Sequence, residues 1–306
     1  MGHTSYSSAT YSTIKSSTAG RSTADIFTNN KTRTVDVGMN PKNLTVRECR
    51  DSVAHPLSLA VQFWLDVTGS MGSIPEKLIR EKLGALIETM LKHKIADPAV
   101  LFGGIGDHYT DSAPLQVGQF ESGAEELAKW LTGLFLEGGG GGQNKESYLL
   151  AWYVAARHTS IDCFEKRGKK GYLFTVGDEK TWGSLEAATL TEIFGKSVSE
   201  SVSAEQLLRE VKQMYHVYHI HVNSTGYAND PDVIGDWKRL LGENLIILDD
   251  SDVIAETIAT TIAVMEGSLK SDVMSTFDPR IAASVSRALV NVNTNNSVTT
   301  TNVIEF

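Results

Sequence analysis

The segment Asp66-Val67-Thr68-Gly69-Ser70 sets one carboxylate and two hydroxyls at alternate positions. In an extended loop, alternate side chains point the same way, so Asp66, Thr68 and Ser70 converge on one point. A carboxylate with two hydroxyls suits a small hard cation such as Mg²⁺, which keeps several waters and takes few protein ligands. Gly69 lets the backbone turn tightly between them. A second carboxylate, Asp178, ends another apolar run after Gly177 and supplies oxygen from across a crevice. Nothing soft accompanies these oxygens, which argues against zinc and copper. A plainer reading makes Ser70 or Ser73 the cap of a helix beginning near Pro75.

Other residues invite chemistry less strongly. Gly106-Asp107-His108 reads as a strand-end turn. The run Gly138 to Gly142 lacks the Gly-Lys-Ser/Thr ending of a phosphate loop, so nucleotide binding is not expected. His219 and His221 share one strand face without an evident third ligand and read as packed histidines. Trp152, Trp182 and Trp237 read as packing residues, and Cys163 as buried and inert. With only Cys49 and Cys163, the chain has neither a disulfide framework nor a C-x-x-C metal spacing, which fits a reducing compartment. Lys166, Arg167, Lys169 and Lys170 read as a solvated turn.

These residues need a scaffold, and 306 residues with 41% hydrophobic and 21% charged side chains can build one. The formal net charge of -9 argues against a general binder of nucleic acid or anionic membrane. The start of the chain has no apolar signal core, and no segment approaches the ~18 apolar residues of a membrane span. Tyr6 stands where a myristoylation motif wants Ser or Thr. The expected location is the cytoplasm.

Apolar patterning predicts strands over 59–65, 100–105, 115–120, 171–176, 217–222 and 245–248. It predicts helices from about Pro75 to Leu91 and over 125–136, 146–158, 204–215, 231–241 and 251–265. The alternation predicts an α/β fold: a doubly wound, mostly parallel sheet with helices on both faces. The expected organisation is a Ser/Thr-rich N-terminal tail and lead-in over 1–57, a core domain over 58–267 and a C-terminal extension over 268–306. The stretch before Thr23 has too few large apolar residues to order by itself. The Thr/Val/Ile-rich end after Asn291 could add a strand to a sheet edge. In such sheets ligands sit beyond the carboxyl ends of the strands, where the oxygen-rich loops fall.

Asp66-x-Thr68-x-Ser70 resembles the D-x-S/T-x-S signature of the metal-ion-dependent adhesion site in von Willebrand factor A domains. Ile105-Gly106-Asp107-His108, the glycine run before Glu146, and Phe174-Thr175-Val176-Gly177-Asp178 resemble, in order, loops of the subgroup near alpha-kinases and hemicentin-like proteins. The resemblance spans about Leu59 to Asp178. It implies direct contact of Thr68 and Ser70 with the ion, Asp66 and Asp178 acting largely through waters, and one position left for a partner's acidic group. It also aligns Gln143 with the second-loop ligand, a neutral amide where this subgroup has a carboxylate.

The reading that follows is a binding or scaffold module and not an enzyme. Its expected cofactor is Mg²⁺, with Mn²⁺ or Ca²⁺ as alternatives, and its ligands are Asp66, Thr68, Ser70, Asp178 and Gln143. The expected partner is a protein or a neighbouring subunit presenting an acidic residue. One alternative is a structural protein assembling through its tails into a homo-oligomer. Another is a metal-dependent hydrolase.

Overall fold

The computed structural model describes residues 4–138 and 144–292. Gln143 and the end of the chain beyond Val292 lie outside the described residues, and with them the strand expected after Asn291. Six strands form the central sheet: β1 (Ser58–Asp66), β2 (Asp97–Ile105), β3 (Leu115–Val117), β4 (Gly171–Gly177), β5 (Tyr215–Val222) and β6 (Leu245–Leu248). Their order is β6-β5-β4-β1-β2-β3, parallel except for the antiparallel edge β3. The expected doubly wound α/β sheet is therefore present. The order reverses at β1, and the crevice between the carboxyl ends of β1 and β4 is where such a sheet receives a ligand.

Both faces are covered. On one, a register of aromatic residues crosses four strands, Tyr218 opposite Phe174, then Phe63, then Phe102. On the other, Trp64 stands opposite Gly103, where an added Cβ would lie 2.1 Å from the indole, so the glycine makes room for the ring. The longer helices are α1 (Ser8–Thr18), α2 (Leu83–Lys92), α3 (Ala124–Thr132), α4 (Tyr148–Arg157), α5 (Ala204–Met214), α6 (Pro231–Leu241), α7 (Ile254–Met265) and α8 (Pro279–Ala288), with shorter ones that include Ala187–Phe194. Helix α2 packs on α7, and α4 packs on α5 and, through Tyr148 and Trp152, on Trp237 of α6. No helix among the described residues is long and apolar enough to cross a membrane.

Three local departures from the sequence pattern matter. The helix before α2 begins at Ile74 and passes through a π-turn over Leu78–Lys82. The helix expected from Glu146 begins at Tyr148 instead. Lys145–Glu146 is extended and pairs in parallel with Lys180–Thr181. Finally, the Ser/Thr-rich start is not a bare extended tail. Ser7 caps α1, Tyr11 is buried against the domain, and its hydroxyl donates to the Ile79 carbonyl at 3.3 Å. The segment gets its order from the domain, since its own apolar content is too small. Residues 29–39 continue around the sheet edge, with Asn29 donating to the Gly133 carbonyl and Val117 N–H donating to the Met39 carbonyl.

The basic run is neutralised within the molecule. Lys166 pairs with Asp162, Arg167 with Asp51 and Lys169 with Glu266, while Lys170 donates to the Lys212 carbonyl. Cys49 and Cys163 are both free and buried, and burial raises both thiols above their ordinary range, Cys49 to about 12. Neither has the lowered pKa of a reactive cysteine.

Candidate metal centre

Asp66 is the last residue of β1, Asp178 follows β4 directly, and both are fully buried. One Asp66 oxygen, Oδ1, accepts from the Thr68 N–H at 2.9 Å and from the Thr68 hydroxyl at 2.6 Å. The Thr68 and Ser70 hydroxyls lie 3.3 Å apart, and Ser70 donates to Asp178 Oδ1 at 2.8 Å. The structure thus brings Asp66, Thr68, Ser70 and Asp178 into one linked group. The capping alternative is not what the loop does: Ser70 is engaged with Asp178, and Ser73 makes no side-chain cap bond.

Two contacts escaped the sequence reading. The buried Tyr148 hydroxyl donates to the second Asp66 oxygen at 3.0 Å. It sits directly over Gly177, where an added Cβ would lie 1.8 Å from the phenol oxygen. The loop after β5 closes over the other side, with the Tyr227 N–H 3.4 Å from Asp178 Oδ2 and Gly226 against the same carboxylate. A glycine leaving the carboxyl end of a sheet strand was the signal for this loop.

The electrostatics of the group are one-sided. Burial first, then the proximity of Asp178, pushes Asp66 up to about 7 against the hydrogen bonds from Thr68 and Tyr148. Glu179 rises to about 8 and Glu146 to about 11, in both cases through burial and then the charge of Asp66. No lysine or arginine among the described residues forms an ion pair with any of these four carboxyls. Buried carboxylates without a cation are costly, and the raised values show protons relieving that cost, which a positive ligand would do equally. The donors fit a hard ion: two carboxylates and two hydroxyls, whose bonds to one another a cation would replace. Among the described residues no three His, Cys, Asp or Glu side chains converge as a ready cage. The hydroxyls are therefore integral to the donor set.

The other singled-out residues take different roles. Asp107 is a turn residue, accepting from Trp182 Nε1 at 2.9 Å and from the Thr110 hydroxyl at 3.1 Å. The backbone N–H of His108 donates to the Ser147 hydroxyl. Trp182, expected to be packing, stands instead at the rim. It meets the 59% exposed Tyr109 edge to face at 4.6 Å, with the Lys145 ammonium 4.6 Å over its ring. Beside Tyr109 a cleft of about 340 Å³ opens between Val35, Lys42, Pro114 and Glu192. His219 is packed as expected, stacked 3.6 Å from Trp237 and bonded to Thr175. It is not fully satisfied, since its Nε2 is buried without a partner, as are both His221 ring nitrogens. Burial lowers both imidazoles, so they stay neutral, and they form no metal cage.

No family model matches the chain and no curated protein matches its sequence. Solved structures with a similar fold include the pilus adhesin SpaC of Lactobacillus rhamnosus GG in its open conformation, at 9% identity and a TM-score of 0.45, over 72% of this chain. They also include BatB of Bacteroides thetaiotaomicron, at 14% identity and a TM-score of 0.41, over 69% of this chain and 100% of BatB. A von Willebrand factor type A protein of Catenulispora acidiphila follows at 12% identity and a TM-score of 0.39, over 74% of this chain and 48% of its own. The chain spans about a third of the adhesin, 31%. Likenesses of this size decide neither family nor activity.

Proposed function

We propose that this chain is a protein-binding module of the von Willebrand factor A type. In this reading Asp66, Thr68, Ser70 and Asp178 hold Mg²⁺, with Mn²⁺ or Ca²⁺ as alternatives, and an acidic residue of a partner protein or neighbouring subunit completes its coordination. The observation that carries the reading is the pair of hydroxyl-to-carboxylate bonds, Thr68 to Asp66 and Ser70 to Asp178, buried at a sheet switch point with no basic counter-charge among the described residues. When bound, the ion supplies a Lewis-acidic position for an oxygen ligand. The chain's own residues orient and shield it: Tyr148 fixes Asp66, and the Gly226 loop covers Asp178.

Two features favour binding over turnover. The rim carries exposed Tyr109 beside Trp182, and aromatic residues of this kind anchor protein interfaces. Among the described residues no basic side chain is paired to the carboxyls to neutralise a phosphate in a hydrolytic reaction. The test is calorimetric titration of Mg²⁺ and Mn²⁺ into chelator-stripped protein. Saturable heat is expected in the wild type and loss of the part due to this site in Asp66→Ala, with far-ultraviolet circular dichroism unchanged. An equal heat in both proteins refutes the assignment.

A further inference from the structure

A second set of oxygens lies beside the first, on the short parallel ladder between Lys145–Glu146 and Lys180–Thr181. Glu146 and Thr181 are register partners, so their side chains share a face. Glu179 lies in the bend that leads into this ladder, two residues before Thr181. All three are buried: Glu146 is 2% exposed, Glu179 7% and Thr181 8%. Glu146 Oε2, Glu179 Oε2 and Thr181 Oγ1 each lack a hydrogen-bond partner. The two glutamate carboxyls share a side-chain hydrogen bond, and each feels the charge of Asp66.

Three unpartnered, inaccessible oxygens at one short ladder are unusual, because buried polar atoms are nearly always satisfied. Lysines are adjacent in sequence but turned away, Lys145 lying over the Trp182 ring. Two facing carboxylates and a hydroxyl form a hard donor set of the kind that Ca²⁺, Mg²⁺ or Mn²⁺ takes.

We infer that Glu146, Glu179 and Thr181 form a second divalent-cation site, separate in its ligands from the Asp66 centre. This inference stands or falls independently of the function proposed above.

Mn²⁺ alone is the probe, counted by the loss of its free electron paramagnetic resonance signal during titration of chelator-stripped full-length protein. Two ions per chain are expected in the wild type. Glu146→Gln and Glu179→Gln should each lower the count to one, Thr181→Val should weaken that same ion at least tenfold, and Asp66→Asn should remove only the other ion. Two bound ions in both glutamine variants would overturn the inference. So would no ion in the wild type, or a single ion that Asp66→Asn removes. A wild type binding one ion together with a raised melting temperature in Glu146→Gln would identify the pair as carboxyls sharing a proton.

Discussion

Tyr148 links the packing of the core to the chemistry of the rim. Its ring lies against His219 and Trp237, while its hydroxyl reaches Asp66 across Gly177. Replacing Gly177 with Ala would place a methyl 1.8 Å from that hydroxyl and 2.7 Å from the carbon bearing it. Overpacking of this kind costs about 1–3 kcal/mol. Gly177→Ala should therefore lower the denaturation midpoint and the Mn²⁺ affinity together. Adding Tyr148→Phe should recover part of the stability, because the closer of the two clashes disappears. Strict additivity in that double-mutant cycle would show that the two residues do not meet. At this scale the sequence was legible where ligands sit close together or end an apolar run: Asp66, Thr68 and Ser70 by their alternation, Asp178 by its place after β4. Glu146, Glu179 and Thr181 were not, since a ladder of two residues per strand has no periodicity to read.

Helix α1 owes its place to a π-turn. Tyr11 fits over Gly84, where a Cβ would meet the phenol ring at 2.5 Å, and its hydroxyl takes the Ile79 carbonyl in the π-turn. Arg80 of the same turn donates to the carbonyls of Thr18 and Arg21. Gly84→Ala should dislodge α1, exposing the first twenty or so residues to limited proteolysis while leaving Mg²⁺ heats unchanged. Persistent protection of that segment would show that the seat lies elsewhere. Most helices and strands of the sheet domain were legible because each buries a continuous apolar stripe or run, but the short helix Ala187–Phe194 was not. Pro231–Leu241 and Leu245–Leu248 lie where patterning puts them. The π-turn and the order of α1 were not legible, because both arise from contacts between segments that are remote in sequence.

Across the whole molecule, Asp162 ties the lead-in to the domain. Its buried carboxylate accepts from Arg50 at 2.9 Å and from the Asp51 N–H at 2.8 Å, and it pairs with Lys166 at 2.6 Å. Burial pushes Asp162 up, but Lys166, the Asp51 N–H and Arg50 together outweigh it and hold it down to about 2. A folded value below the unfolded one, near ~3.9, means the stabilisation is complete above about pH 4 and is lost as pH falls through about 2. Asp162→Asn should cost about 1–2 kcal/mol at neutral pH, a figure kept modest because Lys166 and Arg50 are substantially exposed. The gap between variant and wild-type melting temperatures should close between pH 4 and 2. A gap independent of pH would mean that the carboxylate's charge contributes nothing.

The antiparallel strand β3 spans only Leu115–Val117, and the Val117 N–H is already donated to Met39. An open rim of backbone donors is what lets one sheet recruit a foreign chain, and here it is short and partly spent. Along this side the molecule offers almost no template for fibrous growth. Any ordered array that grows from this edge has to be built from side-chain surfaces instead.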